Sequence, residues 1–400
     1  MAGLFAAGEP PRDFVAREAS PRRRRTKNTP IRTPTPLPKK VNNFLAHKCF
    51  QQMTERNVPP WSPSSWMGDL LPLIGGLKLG ELRMVGTHNS GTYGVKKSSK
   101  FGVDAEGPLG KKGFVGSVSR TFAKRTCSKW AKCQCKSSFE QVYHGSRYLD
   151  LRIVPGPGDE KNVCYISHTQ LSVTLSEFLD DVKRFYSLPE SKNEIIILDF
   201  QHVFLDNPEE SLFRELNTLS SLIIPPGSGF TSVISDLLKQ SGRIVVVMGI
   251  KFDTKTHPFI PRGAIVSRWK NAISVKDLLS SFDRDCEANE TSPAKPGLYV
   301  TQGILTPNGT MIAKSIFSGK KSSLYSLCKL AEDANNDVLR WFWIHNYHKA
   351  VVTKSNVHAN VLLMDIPESA NIEVQHNGAI YQCGPVEICV LLNVIQANGS

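Results

Sequence analysis

This chain has little that would fix it permanently in a membrane or staple it with disulfides. No apolar run approaches the roughly 18 residues needed to cross a bilayer. The opening MAGLFAAGEPPRD has no basic stretch before its short apolar patch and meets Glu9 quickly, so a secretory signal is not expected. Ala2 stands where N-myristoylation requires glycine, so that anchor is not expected either. Nine cysteines are an odd, scattered set in 400 residues, which fits a reducing compartment better than a disulfide framework. Cys127, Cys133 and Cys135 cluster, but their spacing offers no fourth ligand nearby, so zinc is not expected. No internal repeat is visible.

What is present is positive charge in two places. The formal net charge is +13. PRRRRTKNTPIRTPTPLPKK (21–40) carries eight Lys/Arg, no acid and five prolines, so residues 1–45 read as a disordered basic tail. Its Arg run (22–27) is a route to nuclear import, but no specific nucleic-acid partner is expected. Lys96 to Lys136 holds eleven Lys/Arg against Asp104 and Glu106. The remainder of the chain is mildly acidic.

Elsewhere the hydrophobic period alternates. Strands are expected at 82–86, 147–153, 162–166, 194–200, 243–249, 263–267, 298–302, 341–346 and 360–366. Several are continuous aliphatic runs, as in strands covered on both faces. Between them, LSEFLDDVKRFY spaces Leu175, Phe178, Leu179, Val182, Phe185 and Tyr186 as a helix does, and 209–222, 274–282 and 322–334 read similarly. Such alternation predicts an α/β domain of (β/α)8 type, with 46–79 as a lead-in, 80–370 as the barrel, 96–136 as a basic insertion and 371–400 as an extension packed on it. Trp61 and Trp66 are expected to cap the barrel bottom.

In such a barrel, chemistry collects at the carboxyl ends of strands. His88 and Asn89 follow 82–86; Asp150 and Arg152, two apart in a strand, project to one side. His168 follows 162–166, Asp199 and Gln201 close 194–200, and Asp365 sits near the end of the last strand. Each alone has a structural explanation; together at one rim they suggest a site. Two histidines and an arginine suit cleavage of a phosphodiester by an internal hydroxyl. One neutral imidazole takes a proton, one imidazolium returns it, and the guanidinium fork holds the phosphate oxygens.

The runs GTHNSGTY, YLDLRI, YISHTQL and NEIIILDFQH resemble the X domain of phosphatidylinositol-specific phospholipase C, most of all the X-domain-only proteins. YVTQGILTP and RWKNAISVKDLLSSF are similar to segments of that subgroup, and the likeness spans roughly 80–370. It implies a distorted TIM barrel and cleavage of phosphatidylinositol-type lipids. By motif, His88 would be the general base on the inositol 2-hydroxyl and His168 the general acid to the diacylglycerol oxygen. Arg152 would hold the phosphate and Asp365 would orient His88. Asp150 and Asn89 would complete the catalytic set, with Gln201, Asp199 and Arg268 as substrate-binding residues.

Members that need calcium place a carboxylate where this chain has Arg152, so the resemblance implies a metal-independent enzyme with no cofactor, Ca²⁺ being disfavoured. Metal-independent bacterial members have Asp after the first histidine, where this chain has Asn89; another carboxylate is then required beside His168, or activity is low. The basic insertion is expected to meet an anionic membrane surface through Lys111, Lys112, Lys124, Arg125 and Trp130, as a cytoplasmic, peripherally bound protein. Two alternatives stay open: a phosphodiesterase for another diester, such as a glycerophosphodiester, and a catalytically weak membrane-binding relative.

Overall fold

Aliphatic runs in this chain are divided, residue by residue, between two apolar layers. In the computed structural model, β5 (Ile196–Val203) gives Ile197 to one buried cluster and Ile196, Leu198 and Phe200 to another. β6 (Ile244–Met248) does the same, with Val245 and Val247 against Ile244, Val246 and Met248. Period-two alternation sends one set inside the barrel and the other under the surrounding helices. The structure describes residues 58–105, 117–225, 227, 229–291, 297–308, 311–312, 326–353, 359–376 and 379–399. The expected tail (1–45), Lys111 and Lys112 fall outside these residues.

The parallel strands are β1 (Met84–Thr87), β2 (Tyr148–Pro155), β5, β6, β7 (Ile260–Pro261), β8 (Ile265–Ser267), β9 (Leu298–Gln302) and β10 (Val361–Met364). Their order in the sheet is β7-β6-β5-β2-β1-β10-β9-β8, which is chain order around a barrel. β10 closes in parallel onto β1, with Met84 opposite Val361 and Thr87 opposite Met364. β7 and β8 are not paired, so the barrel is open there. The expected distorted (β/α)8 architecture is therefore present. At Gly86 a Cβ would come within 2.9 Å of Val361 and 3.0 Å of Tyr148, so glycine allows that close approach.

Helix α1 (Ser117–Ala131) and α2 (Ser138–Tyr143) join β1 to β2, and α3 (Leu175–Tyr186) leads to β5. α3 starts on a capping box of Thr174 and Glu177, and buries Leu175, Phe178, Leu179, Val182 and Phe185. α4 (Ile234–Lys239) precedes β6, α5 (Val275–Thr291) precedes β9 and α6 (Leu327–Tyr347) precedes β10. The hairpin β11 (Ile372–His376) and β12 (Ala379–Cys383) leads to α7 (Pro385–Gly399), whose Ile388, Val390, Leu391 and Leu392 join the main core. At the amino end of β2, Trp66 is buried beside the Arg147 guanidinium, which pairs with buried Glu194. Among the described residues no helix is long and apolar enough to cross a membrane.

Two expectations need correction. The aromatic run 341–346 is not a strand but the end of α6. Leu339, Phe342, Trp343 and Asn346 are buried while Ile344 is exposed, so helical spacing prevails over the β-propensity of its aromatics. The strand read at 162–166 is β3 (Cys164–His168), which is no barrel stave. It pairs antiparallel with β2 and with β4 (Gln170–Thr174), forming a hairpin on the rim.

Candidate active site at the carboxyl rim

β1 ends by delivering His88, whose backbone N–H donates to Met364 O at 3.0 Å. Its Nδ1 lies 2.8 Å from Asp365 Oδ1, and its Nε2 accepts from Asn89 Nδ2 at 3.0 Å. That network fixes the neutral tautomer with Nδ1–H toward the carboxylate and the lone pair on Nε2. Asn89 is in the left-handed region (φ 44°), and its N–H donates to Asp150 Oδ2 at 3.1 Å. Burial pulls the His88 pKa down, but Asp365, by its charge and its hydrogen bond, carries it above the ordinary value.

β2 alternates as expected. Leu149, Leu151 and Ile153 belong to the outer cluster, so Tyr148, Asp150 and Arg152 face inward. Arg152 Nη1 lies 3.7 Å from Asp104 Oδ2, while its buried Nε has no hydrogen-bond partner among the described residues. With its amide turned to satisfy both neighbours, Gln201 donates to Asp150 Oδ1 (2.9 Å) and accepts from Arg262 Nη2 (3.0 Å).

His168 reaches the rim on the hairpin. Its ring centroid is 6.0 Å from that of His88, edge to face. Its Nδ1 contacts Ala131 O at 3.2 Å and Cys133 Sγ at 3.3 Å. Burial first, then the nearby His88 and Arg152 charges, lower its pKa to about 4. No carboxylate hydrogen-bonds to it among the described residues, so the support that Asn89 cannot give comes from no other acid there. What positions it is Asp104, which accepts from Ser167 Oγ at 2.6 Å and from Thr169 N at 2.9 Å. Thr169 is held at φ 66°. The residues on both sides of His168 are thus tied to one buried carboxylate.

The substrate-binding candidates separate. Asp199 is 1% exposed, accepts from Tyr148 Oη at 2.5 Å and pairs with Arg262 Nε at 3.1 Å. Burial raises its pKa to about 6. It supports the wall and is not open to a ligand, which corrects its expected role. Arg268 pairs with Asp285 of α5 at 3.3 Å and makes no contact with the histidines among the described residues. Its neighbour Trp269, half exposed, lies over His88 with ring centroids 5.8 Å apart. Trp130 is buried with Cys133 and Leu327, so it cannot enter a bilayer; Lys124 is half-buried and Arg125 exposed.

Sequence reasoning missed Cys133, Gln134, Asp104, Arg262 and Trp269. Gln134 Nε2 donates to His88 O and Met364 O, both at 3.0 Å. Only Trp269 gave a usable signal, an aromatic two residues past an expected strand. His88, Cys133 and Asp365 also bring metal-capable atoms within 4.8 Å of one another. His88 Nδ1 and Asp365 Oδ1 are engaged with each other at 2.8 Å.

No family model matches this chain. It is 34% identical over 358 residues to a variant-surface-glycoprotein phospholipase C of Trypanosoma cruzi, covering 84% of this chain and 93% of that protein. The corresponding protein of Trypanosoma brucei brucei is 32% identical over 354 residues, covering 84% and 97%. A PI-PLC X domain-containing protein 2 of Homo sapiens is 26% identical over 265 residues, covering 65% and 83%. Among solved structures, a point mutant of the phosphatidylinositol-specific phospholipase C from Staphylococcus aureus aligns at TM-score 0.53. That alignment has 17% identity and covers 83% of this chain and 96% of that one, a likeness of fold.

Proposed function

The chain belongs to the phosphatidylinositol-specific phospholipase C X-domain family, and on that premise we propose that it cleaves phosphatidylinositol-type lipids without a metal ion. The inositol 2-hydroxyl attacks phosphorus as His88 Nε2 takes its proton. The bond to the diacylglycerol oxygen breaks as His168 supplies a proton, leaving a cyclic inositol phosphate. The arrangement that carries this reading is the pair of imidazoles with centroids 6.0 Å apart, one backed by Asp365 at 2.8 Å.

Arg152 holds the phosphate. Its buried Nε, without a hydrogen-bond partner among the described residues, is a donor that a phosphate oxygen would satisfy. The guanidinium supplies the positive charge that a bound cation would otherwise give. In the free site His168 is neutral at neutral pH. An arriving phosphodiester anion between Arg152 and His168 favours the imidazolium and prepares it as the acid. The exposed face of Trp269 beside His88 suits one face of the inositol ring.

The rim also suits an anionic membrane. Val103, Phe204, Trp269 and Ile273 are exposed apolar side chains on segments that follow β1, β5 and β8. Lys96, Lys97, Lys100, Lys124, Arg125 and Lys132 belong to the adjacent basic insertion. Each basic residue near such a surface is worth about 1 kcal/mol.

The deciding experiment incubates purified chain with phosphatidylinositol vesicles in EDTA and measures cyclic inositol phosphate. A lipid-anchored glycoprotein serves as a second substrate, since two relatives are named for acting on a variant surface glycoprotein. Vesicle binding without product would favour the catalytically weak membrane-binding reading, which the low His168 pKa and its lack of a carboxylate partner among the described residues support. Restoration by Ca²⁺ of an activity lost in EDTA would overturn the metal-independent reading.

A further inference from the structure

The strap between α1 and α2 carries three consecutive residues with separate attachments. Cys133 N–H donates to Thr92 Oγ1 at 3.0 Å, and its Sγ meets His168 Nδ1 at 3.3 Å. Gln134 holds the backbone carbonyls of His88 and Met364. Cys135, exposed, lies near enough to Cys328, in the first turn of α6, for each thiol to shift the other's ionisation. Trp130, Cys133 and Leu327 form one buried cluster, which seats the strap against the start of α6 independently of those two thiols. The acid–base chemistry uses neither Cys135 nor Cys328, and both are free.

We propose that Cys135 and Cys328 form a reversible disulfide, a redox modification site that draws the 133–135 strap toward α6 and lowers turnover at the histidines behind it. Its formation is independent of the phosphodiesterase reading, whereas its effect on turnover rests on that reading. The oxidant is a hydroperoxide. The Cys135 thiolate attacks one peroxide oxygen, the O–O bond breaks, and Cys135 becomes a sulfenic acid while an alcohol or water leaves. Cys328 sulfur then displaces that hydroxyl as water, so two thiols lose two electrons and the peroxide gains them. The neighbouring Cys328, with Lys132 assisting, lowers the Cys135 thiol to about 6 against the opposing pull of burial. Its thiolate is therefore more populated than that of an ordinary cysteine. Cys133, fully buried and pushed well up, is a poor competitor.

An S–S bond of about 2.05 Å is much shorter than a thiol–thiol contact. Closing it moves Cys135 toward α6, and with it Cys133, which rests on His168. Displacements of about 1 Å in a catalytic array can cost roughly a hundredfold in rate.

The test oxidises the full chain with tert-butyl hydroperoxide and maps its peptides without reduction. A linked Cys135–Cys328 peptide is expected, reversed by dithiothreitol and absent from Cys135→Ser and Cys328→Ser. Amide hydrogen exchange across 132–136 should slow in the linked form only. Turnover of phosphatidylinositol vesicles should fall at least about tenfold on oxidation and recover on reduction, while both serine variants resist. A Cys133–Cys135 link would overturn the proposal. So would a stable Cys135 sulfenic acid that Cys328 never resolves, a link without slowed exchange, or a linked chain with full turnover. A reduced chain inactive on every lipid would instead defeat the functional reading, and the peptide map and exchange would still decide whether this link forms.

Discussion

His88 and Asp365, 277 positions apart in sequence, meet at 2.8 Å because β1 and β10 are parallel neighbours that end in step. The carboxylate takes Nδ1–H and leaves the Nε2 lone pair facing Asn89 Nδ2 at 3.0 Å. Replacing His88 or His168 by Ala should each lower turnover by roughly 10²–10⁴-fold, the usual worth of a general acid or base. Asp365→Asn should cost less and leave substrate binding nearly intact. A folded His88→Ala chain with near-normal turnover would end the two-histidine mechanism; circular dichroism supplies the folding check.

Asp104 acts on His168 through its neighbours, by bonds to Ser167 and Thr169 and by its place 3.7 Å from Arg152. Asp104→Ala should lower kcat by about tenfold or more through misplacement. Because Arg152 loses a neighbour as well, KM should rise. Asp104→Asn, which still accepts one hydrogen bond, should recover part of kcat. Equal losses in the two variants would show that charge, and not position, is its contribution.

The pH profile follows from the signs of two shifts. His88 must be neutral as base, and its pKa lies above the ordinary value, so activity falls as pH drops below it. His168 must be protonated as acid, and in the free site its pKa is about 4, so the competent fraction also falls as pH rises above that. Only a minority of free enzyme then carries the right protons, and kcat/KM should be bell-shaped with its maximum on the acid side of neutrality. The optimum of kcat should lie higher, since bound phosphate raises both values. A kcat/KM that climbs steadily into alkaline pH would contradict these assignments.

Docking should be separable from chemistry. Neutralising Lys124 and Arg125 should weaken binding to anionic vesicles by about 1 kcal/mol each at low salt. The loss should shrink as screening shortens toward ~10 Å at 0.1 M. Ile273→Ser should weaken binding with little dependence on salt. Cleavage of a short-chain soluble substrate should change little in either case. Equal losses on soluble and vesicle substrates would place these residues inside the active site.

The chain's own pattern determined the barrel, since aliphatic runs separated by helical periods leave few other ways to cover both faces of a strand. It determined His88, Arg152 and Asp150 as inward rim groups, because period-two alternation and strand ends are local properties. It could not decide that β3 would fold back as a hairpin, because antiparallel pairing with β2 is a non-local choice that leaves no mark on YISHTQL. It misread 341–346, where aromatic β-propensity hid a helix whose length depends on packing against the core. Only the tertiary structure brought Cys133 to His168, Gln134 to the His88 carbonyl and Asp104 to the turn around His168. These contacts join segments whose spacing carries no period. Their chemistry exists only once the barrel has closed β10 onto β1 and the strap has settled against α6.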